Sequence, residues 1–353
     1  MRSRFDLLFF KIQIMFNLSS LIRPNIAALK PYVSARSQYV GDSILMDANE
    51  NPFGDGRVNR YPDPYQSDLR KALAERNYVY ENQVLLGNGS DELIDMLMRV
   101  FCVPGKDSIL ICPPTFGMYE VVASVNDVST ESIPLTKTYQ LDVALILKSS
   151  AKILFLPCPN SPTGNVFNPQ DIEIILSEFK GLVVLDEAYV DFSESESWLN
   201  SLNKFENLVV LQTFSKYWAL AGCRIGMVFA SSLIIEVMSK IKMPYNLNNL
   251  SSKKALEAIE NESLVRANAD IIISERKILQ EALSRFSFVK KVFSTQTNFL
   301  WLEVRGASKL QLFFRESGII IRGYDAYPDF LRISVGSSVE NKMLLALLKN
   351  YQS

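Results

Sequence analysis

From about residue 80 to residue 230 the chain alternates short, nearly continuous apolar runs with segments of helical period. The apolar runs are Gln83–Leu86, Ser108–Cys112, Lys152–Leu156, Leu182–Leu185, Leu208–Gln212 and Gly226–Ala230. A strand covered on both faces by crossover helices has no solvent side, so each run predicts a buried strand. Helical patterns fall between them at Asp91–Phe101, Gly117–Asn126 and Pro169–Phe179. Alternation at this spacing predicts an α/β fold, a mostly parallel central sheet flanked by helices.

Past residue 246 the pattern changes. A charged helical segment over Ser251–Phe286 precedes strand-like Val289–Phe293, Asn298–Glu303, Ile319–Arg322 and Leu331–Ser334, then a helix at Ser338–Leu348. This predicts a smaller α+β C-terminal domain over 246–353 beside a large domain over 46–245. Residues 15–45 read as an N-terminal arm, and Asn25–Tyr65, rich in Pro, Asn, Gly and Asp, as extended chain. Residues 1–14 carry a basic start and an apolar run, but Asp6 and Lys11 interrupt it and no small-residue cleavage site follows. They read as an extension outside the fold, with Met15 the natural start.

Composition narrows the chemistry. The 353 residues are 48% hydrophobic and 21% charged, as in an ordinary soluble protein, and the net charge is −1. No basic excess exists to neutralise nucleic-acid phosphates. The chain has no histidine, which excludes Ser-His-Asp and Cys-His catalysis, His-ligated metals and any histidine acid–base step. An enzyme of this composition must carry protons on Lys, Tyr, Asp, Glu, Cys or a cofactor. The four cysteines, Cys102, Cys112, Cys158 and Cys223, form no CxxC pair. They read as small apolar residues in a reducing compartment, the cytoplasm, and not as a metal site or disulfide frame.

Ligands of open α/β sheets bind beyond the carboxyl ends of the strands. After the first run comes Gly87-Asn88-Gly89-Ser90-Asp91-Glu92, with Ser90 placed to cap the next helix and favour an anion there. A glycine turn into a capped helix is common, so this signal alone is weak. After the third run, Pro157-Cys158-Pro159-Asn160-Ser161-Pro162-Thr163-Gly164 makes a rigid, non-helical loop. After the fourth stands Asp186-Glu187-Ala188-Tyr189; a carboxylate at a buried strand end needs a cation or donors, or else caps a helix. After the fifth comes Thr213-Phe214-Ser215-Lys216, with Arg224 following. A lone lysine is ordinarily a solvated charge, but one at a strand end beside small hydroxyls suits Schiff-base chemistry. Five such features on successive strand ends argue for one site.

Together these motifs resemble the fold type I pyridoxal-phosphate aminotransferases over almost the whole chain from Met15. More narrowly, they are similar to the branch of that family that acts on histidinol phosphate. The residues carrying this are Leu29–Arg36, Asn49-Glu50-Asn51-Pro52, Arg60-Tyr61-Pro62, Pro114–Tyr119, Ala221-Gly222-Cys223-Arg224-Ile225-Gly226, Ile321-Arg322 and Leu331–Gly336.

The resemblance implies a homodimer that binds pyridoxal 5'-phosphate on Lys216 and moves an amino group between L-histidinol phosphate and 2-oxoglutarate. The freed Lys216 amine would carry the proton, so no histidine is needed. Asp186 would pair with the ring nitrogen and Tyr189 would donate to the ring oxygen. Phe116 would stack on the ring where the family more often has Tyr. The cofactor phosphate would fall to the Ser90 and Asp91 N–H groups, the Thr213 and Ser215 hydroxyls and Arg224, with Tyr61 reaching the neighbouring subunit's cofactor. The family usually has Asn directly before Pro-Thr-Gly; here Ser161 stands there, preceded by Asn160, and either can face the ring oxygen. Tyr32, Arg322 and Arg332 would take the substrate anions. Threonine-phosphate decarboxylase and aromatic-amino-acid transaminase remain alternatives. A regulatory sensor domain is disfavoured, because the residues ahead of Pro24 are too few to fold a DNA-binding module.

Overall fold

The computed structural model describes residues 16–30, 44–54 and 58–351. Tyr32 and the expected N-terminal extension lie outside these residues. Seven strands form the larger sheet: β1 (Val84–Asn88), β2 (Ser108–Ile111), β3 (Ser129–Ser132), β4 (Ile153–Pro157), β5 (Leu182–Asp186), β6 (Leu208–Thr213) and β7 (Ile225–Ala230). Their order is β1-β7-β6-β5-β4-β2-β3. Pairing is parallel from β3 through β6, whereas β7 runs antiparallel to both β6 and β1. Parallel neighbours need a crossover of about a dozen or more residues. The 214–224 segment between β6 and β7 is too short for one, so the chain turns straight back, and that return loop carries Lys216.

Each apolar run forms a strand within two residues of its expected ends, because alternate side chains enter different cores. Leu154 and Leu156 face one core with Val183, Leu185, Leu208 and Val210. Ile153 and Phe155 face the other with Leu182, Val184, Val209 and Leu211. The β3 strand, Ser129-Thr130-Glu131-Ser132, is a correction to the expected set. It is a polar edge strand paired only to β2, so no apolar run announces it.

The second sheet is antiparallel, formed by β8 (Val289–Val292), β9 (Phe299–Val304), β10 (Arg322–Gly323) and β11 (Phe330–Ser334) in the order β10-β11-β9-β8. Leu300, Leu302, Val304, Leu331 and Ile333 form a core with Leu279, Leu283, Leu310, Phe314, Leu344 and Leu348. The opposite face carries Phe299, Trp301 and Arg332 towards the carboxyl ends of the large sheet.

Two further expectations are corrected. The Ser251–Phe286 stretch forms two helices, Asn249–Glu260 and Glu262–Leu283, because Asn261 leaves helical geometry at φ −108° and ψ 30° and its side chain turns back onto the Glu257 carbonyl, 2.7 Å away. The strand expected at Ile319–Arg322 begins only at Arg322, since the Ile319 N–H still closes the preceding helix on the Phe314 carbonyl at 2.8 Å. The described part of the arm holds two short helices, Leu18–Leu21 and Pro24–Ala27. No helix among the described residues is long and apolar enough to cross a membrane.

Gly226 is the tightest joint in the large sheet. It pairs with Gly87 on one side and Thr213 on the other, and a Cβ there would run into the Gly89 and Ser90 backbone. Backbone cannot swing aside as a long side chain can, so Gly226→Ala should lower the unfolding free energy by about 1–3 kcal/mol. Urea denaturation of the two proteins measures it, and an unchanged midpoint would contradict the contact.

Candidate active site

The Gly87–Glu92 turn closes over Arg224. Gly89 sits at φ +79°, and a Cβ on it would lie 2.5 Å from Arg224 Nη2. Arg224 itself holds the left-handed conformation at φ 53°, strained for a non-glycine residue, and so aims its guanidinium back across the turn. It pairs with Asp91 at 3.1 Å. Ser90 does not cap the helix as expected: Gly89 is the N-cap, Ser90 opens the Ser90–Phe101 helix, and no side chain caps it. The N-terminal N–H groups are thus left to an anion, as the helix dipole favours. Across the gap, Thr213 Oγ1 lies 3.0 Å from Ser215 Oγ and accepts the Ser215 N–H at 3.1 Å.

Asp186 ends β5 and is buried. The Tyr119 hydroxyl donates to its Oδ2 at 2.8 Å and the Ala188 N–H to its Oδ1 at 3.1 Å. Burial raises the Asp186 carboxyl above its ordinary range, and those two donors pull against it. Tyr119 stays protonated, held well above the usual phenol range by its own burial and then by the Asp186 charge. Its ring stacks on Phe155 at 4.7 Å and meets the Phe116 ring edge-on at 5.4 Å.

Lys216 stands in the same recess. Burial lowers its amine below the ordinary lysine value and nearby Arg332 adds to this, while Asp186 opposes them. Its Nζ lies 5.7 Å from the centre of the Tyr189 ring. Arg332 reaches in from β11, donating from Nη1 to Ser161 Oγ at 3.0 Å and lying 5.0 Å over the Phe299 ring. Arg322 pairs directly with Arg332 across β10 and β11, which places both side chains on one face. Among the described residues neither arginine has an ion-pair partner.

The Pro-rich loop separates its two candidates. Asn160 is fully buried and spends its amide on the Pro114 carbonyl at 2.9 Å and Thr163 Oγ1 at 2.6 Å. Ser161 instead faces Arg332 and Tyr189. Tyr61 is not brought to this recess within the chain. It stacks on Tyr245 at 4.5 Å and lines a separate cleft of about 460 Å³ with Glu50, Arg60, Asn248 and Leu250.

Residues 44–349 match the model of the family described as aminotransferase class I and II. The chain belongs to that family. It is 43% identical over 347 residues to the histidinol-phosphate aminotransferase of Christiangramia forsetii, covering 96% of this chain and 99% of the relative. The histidinol-phosphate aminotransferase of Cytophaga hutchinsonii is 44% identical over 346 residues, with 95% and 99% covered. Among solved structures, the histidinol-phosphate aminotransferase of Sinorhizobium meliloti in complex with pyridoxal-5'-phosphate superposes with a TM-score of 0.77 at 22% identity, covering 86% of this chain and 89% of that one. That likeness shows the aminotransferase fold.

Two residues of this aminotransferase site were not assigned from sequence. Tyr119 belongs to the Pro114–Tyr119 motif, but its bond to Asp186 spans 67 positions; the available signal was its place three residues after Phe116, near the start of a helix. Glu187 read only as the neighbour of Asp186. It is buried, with Ser197 Oγ, the Trp198 N–H and Gln212 Nε2 donating to it at 2.5, 2.6 and 3.0 Å. It thereby ties the β5 exit to the end of β6, just ahead of the Lys216 loop.

Burial pushes the Glu187 carboxyl from 4.5 up to about 7. The folded chain therefore keeps a proton that the unfolded chain has released between those values, and stability falls as pH rises from about 4.5 to about 7. Above that window the loss is complete. Glu187→Gln should remove this part of the pH dependence, seen as a smaller difference in urea midpoint between pH 5 and pH 8; an equal difference in both proteins would rule Glu187 out as its source.

Proposed function

We propose that this aminotransferase interconverts L-histidinol phosphate and 2-oxoglutarate with imidazole-acetol phosphate and L-glutamate, using pyridoxal 5'-phosphate. The observation that carries the reading is the Lys216 side chain on the loop after β6, 5.7 Å from the centre of the Tyr189 ring and close enough to Arg332 and Asp186 to feel both charges, with its amine lowered by desolvation and by Arg332. The relatives at 43–44% identity that bear this activity's name support the substrate.

The donor set fits the cofactor. The turn at Gly89, where a side chain would displace Arg224, suits a phosphate. Ser90 and Asp91 N–H groups, the Thr213 and Ser215 hydroxyls and Arg224 would hold it there. Asp186, a buried carboxyl with two neutral donors, suits a protonated ring nitrogen. Phe116 would cover the ring, and Tyr189 with Ser161 would meet its oxygen. Ser161 takes that role over Asn160, whose amide nitrogen already donates to the Pro114 carbonyl and Thr163 Oγ1. Bound there, the cofactor supplies an electron sink for a substrate carbanion.

The chain's own residues do the rest. A lysine amine lowered below its ordinary value is neutral more often, and can take up and return the proton at the substrate's Cα. Tyr119 steadies the charge on Asp186. Arg322 and Arg332 bind the phosphate of one substrate and the carboxylates of the other in turn, because a guanidinium fork fits either anion. We read Tyr32 as a further substrate contact, and the enzyme as a homodimer whose Tyr61 reaches the neighbouring subunit's cofactor. Its buried thiols Cys102, Cys112 and Cys158, each pushed up to about 12, suit the cytoplasm.

Holoenzyme mixed with L-histidinol phosphate in the absence of any keto acid should lose its cofactor absorbance band and regain it on adding 2-oxoglutarate. Phosphothreonine and phenylalanine serve as parallels, and a response to one of them alone would discard the substrate while keeping the cofactor. Lys216→Ala should lower turnover by at least about a thousandfold; near wild-type turnover would sink the role of Lys216.

A further inference from the structure

Arg322 and Arg332 face each other across an antiparallel pair, an arrangement of like charges that is unfavourable when directly opposed. Arg332 is held in place by Ser161 and the Phe299 ring. Among the described residues Arg322 has no such anchor in the large domain, and it is exposed, on a strand two residues long. Left to itself, its guanidinium would turn into solvent, away from its neighbour.

Tyr324 opposes that. It follows the end of β10 by one residue; the Arg322 Cζ sits 5.5 Å from its ring centre, within cation–π range, and the Arg322 side chain also hydrogen-bonds its hydroxyl. The ring is fixed from beneath by Trp301, which meets it edge-on at 5.3 Å. Trp301 is fully buried, stacks on Phe330 at 5.0 Å and lies 3.3 Å through Nε1 from the Tyr139 hydroxyl. Trp301 also pairs with Arg332 across β9 and β11. One rigid aromatic therefore underlies both arginine positions.

We propose that the Tyr324 ring is a specificity-determining positioning residue: resting on Trp301, it holds Arg322 beside Arg332 so that two guanidiniums meet one dianionic phosphate. This rests on the reading of the arginine pair as the substrate anion site. Singly charged groups need one fork; a phosphate dianion gains from both. The ring's contribution is thus to ground-state affinity for phosphate-bearing substrates, and hence to KM, with kcat unaffected.

The test uses holoenzyme, whose cofactor phosphate site is filled, titrated with inorganic phosphate by calorimetry, alongside steady-state kinetics with the phosphate-bearing amine. Tyr324→Leu keeps apolar bulk on Trp301 but loses the ring face. It should weaken phosphate binding about tenfold and raise KM in proportion, with kcat within about twofold of wild type. Tyr324→Phe keeps the face and should stay within about threefold of wild type on both readouts. Unchanged phosphate affinity in Tyr324→Leu, a fall in kcat matching that in kcat/KM, or equal damage from Phe and Leu would each overturn the proposal. Arg322→Ala separates the two readings. If it weakens phosphate binding while Tyr324→Leu does not, only the role of Tyr324 falls; if it has no effect, the arginine pair is not the anion site and both fall.

Discussion

A carboxylate withdrawn from water at the end of β5 sets the terms for the whole recess. Removing a charge from solvent costs several kcal/mol unless donors and a cation replace its hydration. Among the described residues Asp186 has two donors, the Ala188 N–H and the Tyr119 hydroxyl. Tyr119 can serve only if its ring is fixed, and Phe155 of β4 and Phe116 after β2 fix it. Three neighbouring strands are thus committed to one carboxylate. Burial raises Asp186, while partial desolvation and the Arg332 charge lower the more exposed Lys216, so an acid and an amine at neighbouring strand ends are moved towards each other.

The reversed strand β7 provides the other half of the geometry. Because it returns directly from β6, the Lys216 loop and Arg224 stand at the same edge of the sheet as the Gly87–Glu92 turn that follows β1. Gly226 lets that turn press onto β7, and the left-handed backbone at Arg224 spends conformational energy to bring the guanidinium over it. Strain of this kind persists only where surrounding contacts over-determine it. Here the close-packed glycines, the Asp91 pair and the sheet register do so together.

How much of this was legible in the residues follows from what burial does to sequence. Strands covered on both faces become apolar runs, so β1, β2 and β4 to β7 were visible, and the polar residues breaking off each run marked the strand ends where chemistry collects. The polar edge strand β3 left no such trace, nor did Asn261, a single residue that splits a charged helix by turning its side chain onto the chain. Lys216 and Asp186 stood out by position, whereas Tyr119 did not, because its partner is set by how a helix packs against a strand far along the chain. The pairing of Arg322 with Arg332 depends on hairpin register, which two isolated motifs do not disclose.

Net charge and local charge carry different information. A chain balanced to −1 offers no overall attraction to polyanions such as nucleic acid. Yet the fold brings Lys216, Arg224, Arg322 and Arg332 to neighbouring strand ends, with Asp186 and Asp91 as the acidic groups acting on Lys216 and Arg224 there. Asp91 is spent on Arg224 and Asp186 is buried and raised. What remains is a local excess of positive charge at the strand ends of an otherwise balanced chain. Such a local excess suits small, doubly charged anions and is of little use to a long polymer. The sign of a protein's partners is therefore set by the register and strand ends that concentrate charge, and composition speaks only to the surface outside.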